Sequence, residues 1–207
     1  MAVGLRPLIH WVICIVIRVV IVPLTTFGVS EYMDSLRESL VEVLGSAGLE
    51  ANVLTWPAAI KPPIGCFNWE RAQYRAYCVA TYIKDSLQSL GLVDREIVVG
   101  LGYLDGYEQG FNYVFGAALP EYRVAVVFTK RLKPEFYGKR PDFNLYFRRM
   151  VKEVAHELGH LLGLDHCVDG ECTMSYSNSV VEVDAKNARF CQACTRKLRD
   201  RYISNTK

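Results

Sequence analysis

Three of the four histidines in this 207-residue chain lie within one segment of eleven residues, 156–166. The segment reads His-Glu-x-x-His-x-x-Gly-x-x-His, in which Glu157 and Gly163 occupy the fixed positions between the histidines. Side chains four residues apart project from the same face of a helix, so His156 and His160 can reach one ion. The spacing therefore predicts a helix that carries two imidazole ligands and ends near Gly163.

The rest of the segment predicts a catalytic metal site. His166 lies six residues beyond His160 and would face away from the ion on a continuous helix, so the chain must turn back at Gly163, at a positive φ. A zinc ion with three protein ligands keeps an open position and lowers the pKa of a bound water to about 7. Glu157 is expected beside that water as the general base. The alternatives are surface histidines without a function and a metal site without catalytic activity.

Two residues after the histidines are predicted to support the site. Met174 follows His166 by eight residues, where a methionine-containing turn would form an apolar floor under the ligands. Tyr176 lies two residues further on, and its hydroxyl would stabilise an oxyanion. An ordinary core methionine and an ordinary half-buried tyrosine remain the alternative interpretations.

Four of the seven cysteines lie close together near the C-terminus and predict a second metal site. Their spacing is C-x(4)-C-x(18)-C-x(2)-C, formed by Cys167, Cys172, Cys191 and Cys194. Four thiolates complete a tetrahedral zinc site and leave no position for water, so this ion is expected to be structural. Because Cys167 follows His166 directly, the second ion would anchor the loop of the third catalytic ligand. Two disulfides or four unliganded thiols are the alternatives.

Charge and composition name no macromolecular partner. Lys and Arg number 24 against 22 Asp and Glu, so the formal charge of +2 favours neither nucleic acid nor an anionic membrane. Four cations follow the last cysteine within seven residues: Arg196, Lys197, Arg199 and Arg201. Only Tyr202 accompanies them as an aromatic residue, which favours a solvated helix face over a nucleic-acid-binding zinc module. We expect a monomer with no nucleic-acid or membrane partner.

The other cysteines and the apolar N-terminus bear on location. Cys66 and Cys78 can form a disulfide only if their Cα atoms lie within about 7 Å, and buried thiols are the prediction. The chain has an odd number of cysteines, seven, and four of them form a cluster spaced like metal ligands. This pattern favours a reducing, cytoplasmic setting over a secreted disulfide framework. Residues 11–22 are apolar except for Arg18, a run shorter than the roughly 20 residues of a membrane span. Its Val and Ile residues favour a buried strand over a targeting segment.

The order of apolar runs predicts an α/β fold. Runs rich in branched residues predict five strands, at residues 19–24, 49–55, 97–104, 111–118 and 122–129. Helical periodicity predicts three helices: one capped by Ser30, one from Asn68 to about Leu90 closed by Gly91, and one from Asp142 through Leu162. The βαβαβ order makes the first three strands parallel, through right-handed crossovers.

The motifs resemble those of the archaemetzincins, a metzincin-like branch of zinc proteases. The resemblance is carried by HELGHLLGLDHC at residues 156–167, VDGECTM at 168–174 and CQAC at 191–194. It extends from about Val19 to the C-terminus and includes Ser177-Asn178-Ser179 before Asp184 and Lys186. A strand-loop segment is also similar: Phe111, Asn112, Tyr113, Val114, Phe115 and Gly116.

This resemblance implies a five-stranded mixed sheet with an antiparallel edge strand, packed on helices that include the zinc-binding helix. This edge strand, residues 111–118, would form the upper rim of the active-site cleft, where an extended peptide substrate adds to it, and residues 111–116 would bind the substrate. The implied activity is peptide hydrolysis by a zinc-bound water with two zinc ions per chain; a catalytically silent zinc-binding protein is the alternative. The predicted division is an extension or the start of the first strand at 1–18, a catalytic domain at 19–166, and a C-terminal subdomain with the four-cysteine zinc site and the methionine turn at 167–207.

Overall fold

The computed structural model describes residues 16–89 and 96–203. Within these ranges the chain forms eight strands: β1 Val16–Pro23, β2 Glu50–Thr55, β3 Phe67–Asn68, β4 Gln73–Arg75, β5 Ile97–Gly102, β6 Gly106–Tyr107, β7 Gly116–Leu119 and β8 Val124–Phe128. The described helices are α1 Met33–Ser46, α2 Ala76–Ser89, α3 Phe143–Leu161, α4 Val180–Ala185 and α5 Gln192–Tyr202.

Five strands form one mixed sheet in the order β2-β1-β5-β8-β7. Strand β1 pairs in parallel with β2 and β5, which confirms the predicted arrangement of the first three long strands. Strand β8 continues the parallel part, and β7 pairs with it antiparallel at the edge. The fold class is therefore confirmed: an α/β fold with a five-stranded mixed sheet, an antiparallel edge strand and helices packed against it.

The sheet is covered on both faces. Strand β5 is buried along its whole length, as expected for a central strand between two helical layers. Helices α1 and α3 pack on one face, where Leu36, Leu40 and Met150 are fully buried in the larger core cluster. Helix α2 packs on the other face with Val79 and Ile83. The side chains three and four residues apart on each helix form the apolar stripe that makes this packing possible.

The region before α2 differs from the prediction. Asn68 does not cap a long helix; it ends β3, which pairs antiparallel with β4 to form a hairpin. Strand β4 also pairs with β6, completing a small three-stranded sheet. Helix α2 begins only at Ala76. The side chain of Asn68 instead accepts a hydrogen bond from the backbone of Arg71 within the turn, a local role that competes with helix capping. The predicted helix end at Leu90 and Gly91 lies outside the described residues.

The predicted fourth strand is also shorter than expected. Residues 111–115 form a loop with one isolated bridge, Val114 to Gly106, and only residues 116–119 pair with β8. The rings of Tyr113 and Phe115 contact each other, and the carbonyls of Phe111 and Asn112 accept hydrogen bonds from the side chain of Arg71 instead of from a neighbouring strand.

Cys66 and Cys78 form a disulfide, so the prediction of two buried thiols is wrong. Their Cα atoms lie 5.4 Å apart, because the hairpin brings the residues before β3 back to the first turn of α2. The sequence gives the separation of 12 residues but not this reversal of direction.

Helix α3 begins where it was predicted to begin. The side chain of Asp142 accepts a hydrogen bond from the backbone of Leu145 at 2.8 Å and caps the helix. Nineteen residues follow in helical conformation, with one face buried against the sheet. Strand β1 occupies the C-terminal part of the apolar run at 11–22, while residues 11–15 lie outside the described part of the chain. Among the described helices, none has both the length and the apolar character that spanning a membrane requires.

Candidate active site

The end of α3 brings the three histidines of the sequence motif together. Gly163 has a φ of +89°, and the backbone of Leu164 donates to the carbonyl of Gly159 at 2.9 Å, which closes the helix. The chain then reverses and places the His166 ring 4.8 Å from the His160 ring and 5.3 Å from the His156 ring. The three histidines each offer a nitrogen atom within 4.8 Å of the others.

The hydrogen bonds of the histidines fit a metal site. The Nδ1 atoms of His156 and His160 each lie 2.8 Å from a backbone carbonyl, of Thr173 and Leu164 respectively. A carbonyl can only accept, so each Nδ1 carries the proton and each Nε2 has a free lone pair. These two Nε2 atoms lie 3.1 Å apart. Two lone pairs at that distance repel each other unless a cation lies between them, and the arrangement therefore fits a divalent ion such as zinc.

Electrostatics keep these imidazoles in their neutral, ligating form. Burial lowers the pKa of His156 well below its usual range, and the nearby Lys186 ammonium acts in the same direction. Burial also lowers the pKa values of His160 and His166. A neutral imidazole is the form that binds a metal, so no proton has to be displaced when an ion enters.

Met174 lies directly under the ligand helix. Its side chain is fully buried, and a Cβ atom at Gly159 would lie only 2.2 Å from its sulfur atom. The missing side chain at Gly159, between the two helical ligands, is thus what admits the methionine. The carbonyl of Met174 accepts from the backbone of Cys167 at 2.9 Å, and Thr173 bonds His156. The turn around Met174 therefore contacts both ends of the histidine motif.

Glu157 lies beside the histidines and against the edge strand. Burial raises the pKa of its carboxyl group well above the usual range, and the neighbouring Glu153 carboxylate adds to this. A Cβ atom at Gly116 would lie 2.4 Å from Glu157 Oε1, so the edge strand passes close to the carboxylate. A cation in the histidine site favours the ionised carboxylate, because opposite charges at short range lower a carboxyl pKa.

A cleft of about 580 Å³ opens above the three histidines and Glu157. Its upper wall contains all six residues predicted to bind substrate: Phe111, Asn112, Tyr113, Val114, Phe115 and Gly116. Strand β7 continues this wall as the edge of the sheet, with one side not paired to any described strand. The lower wall comes from the segment after Met174, which contributes Tyr176 and Asn178.

Two tyrosines contact the cleft from opposite walls. The Tyr113 hydroxyl donates to the backbone carbonyl of Asn178 and so bridges the upper and lower walls. The Tyr176 ring lies 4.9 Å from the His166 ring in an edge-to-face arrangement, and its side chain is partly exposed. Tyr176 therefore lies beside His166 and lines the cleft.

The four clustered cysteines converge on a second point. The Sγ atoms of Cys167 and Cys191 lie 3.7 Å apart, and those of Cys172 and Cys194 lie 3.8 Å apart. Zinc bonded to four sulfur atoms at 2.3 Å in a tetrahedron separates them by about 3.8 Å. The spacing fits such an ion and is too long for disulfides, whose sulfur atoms lie about 2 Å apart.

Sequence reasoning missed the polar floor of the cleft. Lys186 and Glu153 line it as a buried ion pair, with Lys186 Nζ 2.8 Å from Glu153 Oε1. Glu153 could have been found, because it lies three residues before His156 on the same helical face. Nothing in the sequence indicates that Lys186, thirty-three residues later, folds back onto it.

Comparisons with known proteins place this site in a family. The profile of peptidase family M54 matches residues 16–200. The chain is 42% identical over 164 residues to the archaemetzincin of Saccharolobus solfataricus, which covers 79% of this chain and 86% of that protein. The crystal structure of the Archaeoglobus fulgidus archaemetzincin matches with 33% identity and a TM-score of 0.71, over 87% of this chain and 99% of that one.

A further solved structure is named for its activity. The zinc-dependent peptidase of Methanocorpusculum labreanum is 28% identical, with a TM-score of 0.74 over 88% of this chain and 99% of that one. The relatives match over nearly their whole length, and the family profile covers the histidine motif and the four clustered cysteines. The chain therefore belongs to peptidase family M54, the family of the archaemetzincins, and is a zinc metallopeptidase.

Proposed function

We propose that the chain hydrolyses peptide bonds in the cleft above His156, His160 and His166, with Glu157 as the general base. The observation that carries this proposal is the convergence of three neutral imidazoles with one buried carboxylate at the floor of an open cleft. A zinc ion held by the three histidines supplies a Lewis acid that activates water and polarises the scissile carbonyl. Glu157 takes the proton from the attacking water and transfers it to the leaving amine.

The upper wall of the cleft supports an extended peptide as the substrate. Strand β7 is an edge strand, so its outward N–H and C=O groups are available to pair with a peptide backbone. Residues 111–116 line the same wall and would contact the substrate side chains. Tyr176 would donate a hydrogen bond to the oxyanion that develops on the carbonyl.

We further propose two zinc ions per chain, one at the histidines and a structural one at Cys167, Cys172, Cys191 and Cys194. The sulfur separations support the second ion. A monomeric state and a cytoplasmic location, both predicted from the sequence, belong to the same proposal. Four thiolate ligands favour a reducing compartment, whereas the Cys66–Cys78 disulfide is of a kind found intracellularly mainly in hyperthermophiles.

The test begins with metal content in protein purified without added metal. Wild type is expected to contain about two zinc ions per chain and a His160→Ala variant about one. Equal content in both would contradict a separate histidine site.

The second step measures cleavage of a mixed peptide library by wild type and by Glu157→Gln, which preserves shape but removes the base. Cleavage should fall by a factor of about 10² to 10⁴ while the zinc content stays the same. Equal turnover by Glu157→Gln would contradict the mechanism. Absence of cleavage by the fully loaded wild type would favour the catalytically silent zinc-binding protein.

A further inference from the structure

An arginine from a distant hairpin donates hydrogen bonds to the upper rim of the cleft. Arg71 lies in the turn between β3 and β4. Its Nη2 atom donates to two successive backbone carbonyls of the rim, Phe111 at 3.0 Å and Asn112 at 2.7 Å. These carbonyls belong to the loop where strand pairing is absent, so the arginine replaces the ladder hydrogen bonds that a strand would have supplied.

Gln73 holds the arginine in the orientation it needs. Arg71 Nε donates to Gln73 Oε1 at 3.0 Å, and Gln73 Nε2 donates to the Asn112 carbonyl at 3.1 Å. The same amide nitrogen also donates to Asp105 Oδ1 at 3.2 Å. Because Gln73 is only 3% exposed, its amide has few other orientations. Arg71 and Gln73 therefore act on the rim as one unit.

A second arginine extends this network to the next rim residue. Arg131 donates to both oxygens of Asp105, at 2.7 and 3.0 Å, in a bidentate pair. Its guanidinium group also lies over the Tyr113 ring, 4.3 Å from the centroid. Three consecutive rim residues, 111–113, are thus fixed from beneath by side chains that lie outside the rim.

The hairpin is itself closed at its base. The Cys66–Cys78 disulfide encloses β3, the turn with Arg71, and β4 in one covalent loop. Strand β4 pairs with β6, and the carbonyl of Gly106 in β6 accepts from the backbone of Val114 in the rim. Displacing the hairpin would therefore displace the rim, and the disulfide limits that displacement.

We propose that Arg71 is a positioning residue for substrate binding, which sets the cleft rim through the carbonyls of Phe111 and Asn112. The inference rests on the proposed function, in which this rim receives an extended peptide. Arg71 does not contact the reacting atoms; its effect is on the affinity for the peptide. A lysine provides one ammonium group and cannot hold two carbonyls and Gln73 together in the plane of a guanidinium.

The test compares wild type with Arg71→Met, Arg71→Lys and the control Arg37→Met, an arginine on α1 remote from the cleft. Steady-state kinetics on one peptide give kcat and KM separately. We expect Arg71→Met to raise KM roughly tenfold with kcat within twofold. The reason is that the rim binds the substrate and the transition state equally well, so a displaced rim weakens both to the same extent. Arg71→Lys should recover part of the affinity, and Arg37→Met should match wild type. A fall in kcat at unchanged KM would overturn the proposal.

Amide hydrogen exchange supplies a measurement that needs no turnover. The amides of Phe111 and Val114 donate to the carbonyls of Glu108 and Gly106, which lie outside the rim, so their exchange reports the opening of the rim from its neighbours. Exchange at residues 111–115 should rise in Arg71→Met but not at α3. Faster exchange in a protein that cleaves no peptide would support the positioning role and count only against the proposed function. Unchanged exchange with normal cleavage would overturn the positioning role.

A second variant keeps the proposal testable if Arg71→Met does not fold. The double substitution Cys66→Ser and Cys78→Ser removes the covalent closure of the hairpin but leaves every hydrogen bond of Arg71. We expect the same direction of change in KM and in exchange at 111–115, with a smaller size. Kinetics and exchange identical to wild type would show that the hairpin does not control the rim.

Discussion

Gly116 has no side chain at the point where the edge strand passes Glu157. A Cβ atom there would lie 2.4 Å from the carboxylate oxygen and 2.7 Å from Cγ, far inside van der Waals contact. Because Glu157 is buried, its side chain cannot move aside without leaving its place beside the histidines. If Glu157 is the general base, as proposed, the Gly116→Ala substitution is expected to lower kcat by roughly a hundredfold, because the carboxylate would be misplaced.

The measurement for Gly116→Ala is steady-state cleavage together with zinc content and the melting temperature. Gly45→Ala is the matched control, because a Cβ at Gly45 meets nothing within 4 Å. That control should retain wild-type cleavage. Full activity in Gly116→Ala would mean that the base is not held against the edge strand.

At the residue scale, the sequence indicates the chemistry but not the neighbours. The motif spacing alone brings His156 and His160 to one face of a helix, because helical periodicity is local. The contact of Gly116 with Glu157 joins residues forty-one positions apart and depends on how β7 crosses α3. Likewise Lys186 reaches Glu153 only through the packing of the segment after α4 on α3. Such pairs have no signature in a single sequence.

At the element scale, α3 and α4 are joined by a charged pair that should respond to acid. Arg149 is buried and donates to both oxygens of Asp184, at 2.7 and 2.6 Å. The hydrogen bonds from Arg149 lower the pKa of the Asp184 carboxyl. A lowered folded-state pKa means that the stabilisation is complete above the unfolded value of about 3.9. It is lost as the pH falls through the folded value.

The urea midpoint of wild type should therefore fall more steeply below about pH 4 than that of Asp184→Asn, which no longer carries the ionisable group. At pH 7 Asp184→Asn should be the less stable protein, because buried Arg149 loses its charged partner, and the difference should shrink as the pH falls. Asp200→Asn, at an exposed position on α5, should show the wild-type slope. If the urea midpoints of wild type and Asp184→Asn fell in parallel with pH, Asp184 would not be the source of the acid sensitivity.

The loop between α3 and α4 should couple the two candidate metal sites. Cys167 follows His166 directly, and its backbone donates to the carbonyl of Met174. Replacing a ligand of the cysteine site by Cys191→Ala frees this loop and with it the third histidine. We expect zinc affinity at the histidines to fall roughly tenfold, comparable to the loss of an outer supporting contact. Competition with a chromophoric chelator measures this affinity, and Thr195→Ala on the same helix serves as the control.

Elements with strong local patterns were predicted, and those set by tertiary contacts were not. Strand β1 and helix α3 have apolar periodicity and, for α3, a capping aspartate, so both lie close to the predicted ranges. The sequence did not predict the hairpin of β3 and β4, because its strands are only two and three residues long and show no alternation of apolar and polar residues. The strand predicted at the rim was too long, because the side chain of Arg71, rather than a neighbouring strand, donates to the carbonyls of Phe111 and Asn112.

At the scale of the whole molecule, the cysteine-bearing segment shares the core of the rest. Leu198 of α5 is fully buried in the same cluster as Leu40 of α1. Arg199 Nε also donates to the carbonyl of Ala47 at the end of α1. The sequence division at residue 166 remains a prediction, but the packing means that loosening α5 exposes apolar surface of α1.

This continuity predicts that the two proposed metal ions contribute differently to global stability. The histidines lie on α3 and its following turn, and α3 packs on the sheet through its own buried apolar side chains. The cysteines join the Met174 turn to the first turn of α5, and a structural zinc contributes on the order of 10 kcal/mol to such a segment. Loss of the cysteine-bound ion should therefore lower the melting temperature of the entire chain in one cooperative transition.

Calorimetry on three proteins checks this: wild type, His160→Ala and Cys194→Ala. His160→Ala should melt within a few degrees of wild type, whereas Cys194→Ala should melt at a far lower temperature. Far-UV circular dichroism of Cys194→Ala should also show less helix, because α5 is lost. The sharpest contrary result would be a low-temperature transition confined to α5, with the main transition unchanged. In that case the segment would be an independent module, and its share of the common core would contribute nothing to the stability of the sheet.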